Sequence, residues 1–233
     1  MADPTILQQQ IAYYQARATE YDEWFYRQGR YDRGAEINNK WHTEAATARD
    51  ALHTAVHALG PVAHALELAP GTGIWTQELV KLADHVTAVD ASAEMLEINR
   101  HKVGAAPITY EQADLFLWEP TAQYDVVFFS FWLSHVPPEQ LDPFLAKVRR
   151  ALRPGGKAFM IDSRRDETSL PSDHALPDEG FIHTRKLNDG RAYQIVKIFY
   201  TPDTLRAAFA RNGLDAVVQE TDTFFIYAQA TAA

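Results

Sequence analysis

Two glycines set between two carboxylates carry the strongest chemical signal in this chain. They fall in Leu66–Asp90, which reads LELAPGTGIWTQELVKLADHVTAVD. Gly71 and Gly73 permit a tight backbone turn, with no Cβ between the main chain and a ligand. A helix following such a turn aims its first N–H groups at that ligand. Asp90 lies about twenty residues beyond the first glycine. Nucleotide-binding folds place an acid at that separation to accept hydrogen bonds from two ribose hydroxyls. Glu67 stands just ahead of the turn, where a carboxylate repels a pyrophosphate and attracts an ammonium group. A paired structural acid is the other reading of Glu67. The dinucleotide fingerprint asks for a third small residue, and here that position is Thr76, preceded by bulky Trp75.

The elements that must hold these groups follow from the pattern around them. Leu66, Leu68 and Ala69 suggest a buried strand, which Pro70-Gly71-Thr72-Gly73 breaks sharply. Trp75 to Ala83 can form a short helix, and His85 to Val89 is rich in β-branched residues. That is a βαβ unit with parallel strands and a right-handed crossover.

Glu67-Leu68-Ala69-Pro70-Gly71-Thr72-Gly73 with Val89-Asp90 resembles motifs I and II of the class I S-adenosylmethionine-dependent methyltransferases. The resemblance implies a loop that wraps S-adenosylmethionine, an acid that binds its ribose, and S-adenosylhomocysteine as product. It extends to Tyr14, Arg17-Ala18 and Glu20-Tyr21-Asp22. These are similar to an N-terminal segment that, in many small-molecule methyltransferases, closes over the cofactor and helps form the acceptor pocket. Asp114 matches the acidic turn that lies beside the adenine in the family, although a solvated turn acid is an equal alternative. The expected cofactor-binding set is therefore Tyr14, Glu67, Ala69, Gly71, Gly73, Asp90, Ala91, Met95, Asp114, Leu115 and Ser130. The LRPGGK turn around Pro154-Gly155-Gly156 is a further shared feature.

Along the rest of the chain, strands alternate with helices. Residues 1–60 read as a helical cap, in which Trp41, Ala45, Ala48, Leu52 and Val56 line one face before Gly60-Pro61 ends the helix. Ser92 is placed to cap a helix reaching about Val103, with Met95 and Leu96 inside. Ile108 to Glu111, Tyr124 to Ser130 and Lys157 to Asp162 read as further strands, the second apolar enough to be buried on both faces. Pro138 opens a helix with Leu141, Phe144, Leu145, Val148 and Leu152 inside. Residues 163–180 are polar and loop-like, either disordered or an ordered lid. Asn188-Asp189-Gly190 then marks a hairpin. Thr201-Pro202 starts a last helix, followed by two strands. The expected fold class is α/β: a doubly wound, mostly parallel seven-stranded sheet with an antiparallel last strand, an N-terminal helical cap and a β-hairpin insertion. One domain is expected over 1–233, with a cap to 60, a cofactor-binding core over 61–162, a lid and hairpin over 163–200 and a C-terminal helix with edge strands.

Ligands in such sheets bind outside the carboxyl ends of the strands. By the resemblance, Ser130-Phe131-Trp132-Leu133-Ser134-His135 faces the methyl acceptor. A methyl sulfonium is already activated, so positioning and removal of water are the main demands. Where the acceptor carries a proton a base helps, and His135 is the candidate; a histidine that holds the loop is the alternative. Tyr13, Trp24, Phe131, Trp132 and Arg164 are the expected acceptor contacts, suited to a small planar or aromatic molecule methylated on oxygen or nitrogen. The sequence lacks the Asp/Asn-Pro-Pro-Tyr run of amino-group enzymes and the strand-four acid of metal-dependent catechol types. His53 and His57 lack the glutamate of HExxH. No metal is expected.

Composition limits the alternatives. The 233 residues are 46% hydrophobic and 12% aromatic, enough for one packed domain. A formal net charge of −9 argues against a broad nucleic-acid surface. Without cysteine there can be no disulfide and no thiolate–zinc site. No apolar run approaches the roughly twenty residues of a membrane span, and MADPTILQQQ lacks the regions of a signal peptide. A soluble cytoplasmic protein with a small-molecule acceptor is expected; the sequence indicates no oligomeric state. An NAD-dependent oxidoreductase and a non-catalytic cofactor-binding module remain the rival readings.

Overall fold

The run Tyr124–Ser130 forms a strand with no polar face, so it needs cover on both sides. In the computed structural model, which describes residues 4–174, 176 and 180–232, it is the middle strand of a seven-stranded sheet. In chain order the strands are β1 (His64–Leu68), β2 (His85–Asp90), β3 (Ile108–Gln112), β4 (Tyr124–Ser130), β5 (Leu152–Ser163), β6 (Ile182–Lys186), β7 (Ala192–Val196), β8 (Leu214–Glu220) and β9 (Phe225–Ala232). The sheet order is β3-β2-β1-β4-β5-β9-β8, and only β9 runs antiparallel to its neighbours. The fold class expected from the sequence is the one observed. β6 and β7 form a separate antiparallel hairpin with His183 opposite Ile195.

The helices are α1 (Pro4–Arg17), α2 (Tyr21–Phe25), α3 (Ala35–His57), α4 (Thr76–Leu79), α5 (Ala93–Val103), α6 (Pro138–Ala151) and α7 (Pro202–Arg211). Side chains alternate across β4, and each half meets a different layer. Val127 and Phe129 pack with Leu141, Phe144 and Leu145 of α6 and with Leu205 and Phe209 of α7. Val126 and Phe128 pack with Trp41, Leu52 and Val56 of α3 and Leu79 of α4. All five residues predicted to line the α3 face are buried. Ser92 caps α5 as expected, accepting the Met95 amide at 3.1 Å.

Two boundaries differ from expectation. α4 is a single turn rather than a helix to Ala83. After Leu79 the chain is drawn back toward β1, with the Asp84 amide on Val62 O at 2.9 Å and the His85 amide on Ala63 O at 3.0 Å. β5 starts at Leu152 rather than Lys157, because Leu152 already pairs with Tyr124 before a bulge. Gly156 fills that bulge, where a Cβ would stand 2.9 Å from the carbonyl oxygens of Tyr124 and Asp125.

The cap and hairpin are fastened over the carboxyl ends of the strands. The Gln10 side chain of α1 donates to His135 O at 3.0 Å and accepts the Val196 amide at 3.1 Å. The Ile198 amide reaches Ser134 O at 2.8 Å. The described part of the 163–180 segment is ordered against the cap: Trp24 donates to Ser169 O, Arg27 to Thr168 O, and Arg33 to Leu170 O and Pro171 O. Residues 175 and 177–179 of the expected lid, and 1–3 of the expected cap, lie outside the described residues. No helix among the described residues is long and apolar enough to cross a membrane.

Candidate active site

The glycine turn leaves β1 through backbone that most side chains resist. Ala69 has φ +55°, Gly71 +54° and Gly73 +89°. At Gly73 a Cβ would also stand 2.8 Å from the Asn99 side chain, so conformation and space both demand glycine. Asn99, wholly buried on the inner face of α5, donates to Gly71 O at 3.3 Å and to the Thr76 hydroxyl at 2.8 Å. It accepts from Tyr110 at 2.9 Å. This residue ties the loop to its flanking helices, and the sequence analysis missed it. Its one signal was a polar residue on the face that buries Met95, one helical turn away.

The two acids of the motif sit in contrasting surroundings. Asp90 accepts the Gly71 amide at 3.1 Å and the Ser92 amide at 2.9 Å. Burial pushes its carboxyl up to about 6, while these amides and that of Ala91 hold it down. Glu67 is 1% exposed, and neither oxygen has a hydrogen-bond partner among the described residues. Burial pushes Glu67 up to about 8, the nearby Thr76 hydroxyl, too poorly aligned for a hydrogen bond, holds it down in part, and the charge on Asp90 adds to the rise. A buried carboxyl with nothing to bond is costly by itself, and a cationic partner would complete it.

Two cavities lie at this end of the sheet. The smaller, about 440 Å³, is lined by Tyr14, Ala69, Asp90, Ala91, Asp114 and Leu115 among others. Six of the predicted cofactor residues thus share one hollow. Gly71 and Gly73 shape the loop beside it. Met95 and Ser130 do not line it: Met95 is buried in the core and Ser130 ends β4, half-buried. Gln10, Ile11, Ser92 and Phe116 line it without having been predicted.

The larger cavity, about 560 Å³ with its open mouth, is walled by α1, the hairpin and the 163–171 segment. Tyr13, Trp24 and Phe131 line it, as expected, and so does His135. Two expected acceptor contacts are elsewhere. Trp132 lines the smaller cavity, its ring 5.4 Å from that of Phe116. Arg164 is turned away, paired with Glu220 at 3.0 Å and donating to Thr221 O and Asp222 O. The β8–β9 corner offers it three acceptors, which sequence spacing does not reveal. Arg17, from the N-terminal segment expected near the pocket, and Arg185 and Lys197, both missed, reach the cavity instead.

Tyr14 belongs to both cavities, and its hydroxyl lies 2.7 Å from His135 Nε2. The other ring nitrogen, Nδ1, is 2.6 Å from Val196 O. A carbonyl only accepts, so Nδ1 carries the proton and Nε2 accepts from Tyr14. Burial first, then the nearby Lys197 charge, hold His135 well below the ordinary histidine range. It is neutral at pH 7, with a lone pair directed at Tyr14. Lys197 itself pairs with Asp162 at 3.2 Å and donates to Ser134 at 2.8 Å.

Known proteins are similar to this chain in sequence and fold. Residues 65–156 match the family described as Methyltransferase domain. Solved DhpI in complex with SAH is 33% identical, the alignment covering 100% of this chain and 99% of that one with a TM-score of 0.78. DhpI with SAM and HEP is 34% identical over 99% and 100% of the two chains, TM-score 0.77. The chain belongs to the class I S-adenosylmethionine-dependent methyltransferases. Among curated relatives of this methyltransferase, the ubiquinone biosynthesis O-methyltransferase of Xanthomonas oryzae pv. oryzae (strain PXO99A) is 27% identical over 206 residues, 80% of each chain.

S-adenosylmethionine is the methyltransferase's cofactor, and the residues present fit it. The orphaned Glu67 carboxyl suits a positively charged group, and Asp90 and Asp114 put acceptors on the smaller cavity. Thr76, where a dinucleotide site needs a small residue, is buried and bonded to Asn99.

Proposed function

We propose that the protein methylates an oxygen or nitrogen of a small acceptor held in the larger cavity, without a metal. The cofactor supplies an electrophilic methyl group, and the chain's own residues position and desolvate the acceptor. One observation carries this reading: the cofactor cavity and the second cavity meet at Tyr14, so a methyl donor in one faces an acceptor in the other. Trp24 and Phe131, meeting edge to face at 4.7 Å, supply an apolar wall for a planar portion of the acceptor. Tyr14 accepts a proton from the acceptor as it gives its own to His135 Nε2, which makes His135 the base through one relay. Among the described residues no group of three or more His, Asp or Glu is placed to hold a metal ion. Incubation with methyl-labelled S-adenosylmethionine and a metabolite extract should yield a labelled small molecule. Binding of the cofactor with no labelled product from any extract would indicate a non-catalytic module.

Two cofactor contacts are assigned with this function. Asp90 binds the ribose hydroxyls, and Asp90→Ala should weaken S-adenosylhomocysteine binding by roughly 1–3 kcal/mol, measured by calorimetry. Asp90→Asn retains one acceptor oxygen and should lose less. Unchanged affinity in Asp90→Ala would remove Asp90 from the site.

Glu67 answers the cofactor's ammonium group. Its folded value, about 8, lies above the ordinary 4.5. Between those pH values the unfolded chain releases a proton that the folded chain keeps, so this group subtracts stability as pH rises through the window. A cation bound beside it reverses the preference, and at pH 7 Glu67 gives up nearly a full proton on binding. The observed binding enthalpy should therefore vary with the ionisation enthalpy of the buffer, and Glu67→Gln should abolish that variation. A buffer-independent enthalpy at pH 7 would show that Glu67 does not meet the cation.

A further inference from the structure

Among the described residues, the larger cavity holds more positive charge than its surroundings neutralise. Arg17, in the last turn of α1, is 9% exposed and donates a single hydrogen bond, to the Tyr31 hydroxyl at 3.2 Å. Its guanidinium lies 5.0 Å from the ring centre of Tyr21, 5.6 Å from Tyr13 and 5.8 Å from Tyr31. Those ring faces offset part of the cost of burying the charge, but they supply no counter-charge. Arg185 enters from β6, and no carboxylate among the described residues pairs with it. Lys197 differs, because Asp162 answers it at 3.2 Å.

Among the described residues the lining contains no aspartate or glutamate. The chain as a whole carries a formal −9, so this local excess of cations is not the overflow of a basic protein. Arginine stays protonated at any working pH and cannot escape its charge by neutralising, as a buried lysine can. A guanidinium facing a cavity with no carboxylate partner among the described residues is suited to take one from a bound ligand. What the cavity offers is a set of donors: two planar N–H forks and the hydroxyls of Tyr13 and Tyr31. Carboxylates and phosphoryl groups match that set, accepting paired N–H bonds from arginine.

We propose that the methyl acceptor carries an oxyanion, a carboxylate or a phosphoryl group, seated between Arg17 and Arg185. The anion is the handle that orients the acceptor toward Tyr14, and its charge offsets the positive sulfonium beyond that ring. The proposal rests on the larger cavity being the acceptor site.

Calorimetric titration of the full-length protein with inorganic phosphate, acetate and acetamide tests it, at constant sodium chloride, with and without S-adenosylhomocysteine. Phosphate or acetate should bind, and acetamide, a neutral molecule of nearly the shape of acetate, should not. Which anion binds more tightly distinguishes a tetrahedral from a planar handle. Arg17→Gln and Arg185→Gln should each weaken anion binding at least tenfold, with S-adenosylhomocysteine affinity changed less than twofold. Arg185 stands on the hairpin, clear of the packed rings around Arg17, so its variant tests the site even where Arg17→Gln unfolds the cap. Acetamide binding as tightly as acetate, or anion affinity unchanged in Arg185→Gln, would overturn the proposal. Absence of any anion binding to the loaded protein would do so as well. Anion binding in a protein that fails to take S-adenosylhomocysteine would support the oxyanion site while removing the methyl-transfer reading.

Discussion

Turnover of the His135→Ala protein is expected to fall by roughly 10²–10⁴, the usual contribution of a positioned base, with S-adenosylhomocysteine affinity unchanged. The geometry gives the reason. His135 Nδ1–H is held on Val196 O at 2.6 Å, which leaves Nε2 to take a proton from Tyr14 at 2.7 Å. Tyr14→Phe breaks the same relay one atom earlier and should reduce kcat to a similar degree. The double variant should then be little worse than either single one, because both act on one proton path.

The pH profile makes a second reading. Only neutral His135 can accept a proton, so the rate rises with pH through its titration. Burial and the Lys197 charge place that titration well below 6.5, so kcat should be flat from about pH 6.5 to 8. A rise in kcat across that interval would show that His135 is charged in the loaded enzyme, contrary to its surroundings. Full turnover by His135→Ala would leave a nucleophile that needs no base, such as an oxygen ionised before it binds.

Trp41→Ala is expected to destabilise the protein by about 3–5 kcal/mol, read from the denaturant midpoint at unchanged slope. Trp41 is fully buried, its indole N–H donates to Phe25 O at 3.0 Å, and its ring centre lies 4.7 Å from Phe225 and 5.2 Å from Trp24. Alanine leaves a large void among rings that cannot close over it, and it strands the Phe25 carbonyl. The damage should spread toward the larger cavity, because Trp24 lines that cavity and also packs on Trp41. Trp41→Phe keeps most of the volume and loses the hydrogen bond, so it should cost about 1–2 kcal/mol. A loss below about 1 kcal/mol for Trp41→Ala would mean that the cap collapses readily around the gap.

Local chemistry made much of the molecule legible before any coordinates were considered. The α3 stripe from Trp41 to Val56, the Ser92 cap and the Asn188-Asp189-Gly190 hairpin are short-range signals, and each is realised. The α4 boundary was missed because the chain after Leu79 continues as irregular turns, with Val80 and Ala83 still bonded to Thr76 O and Leu79 O, before Asp84 and His85 join Val62 and Ala63. Arg164 and Arg185 show the limit most clearly. Both are arginines near the expected cleft in sequence, yet Glu220 and two carbonyls draw Arg164 outward while β6 carries Arg185 in.

For Leu66–Asp90 the sequence by itself determined the kind of cofactor. Glycines needed for a left-handed turn, an acid ahead of it and an acid after the next strand all act within one βαβ unit, so their spacing is their geometry. The larger cavity is assembled only in the tertiary structure. Tyr13, Tyr14 and Arg17 come from α1, His135 from the loop after β4, and Arg185 and Lys197 from beyond residue 180. No spacing rule links segments so far apart in sequence. What joins them is packing: Gln10 bonds at once to His135 O and to the Val196 amide, and so sets α1, the loop and the hairpin around one cavity.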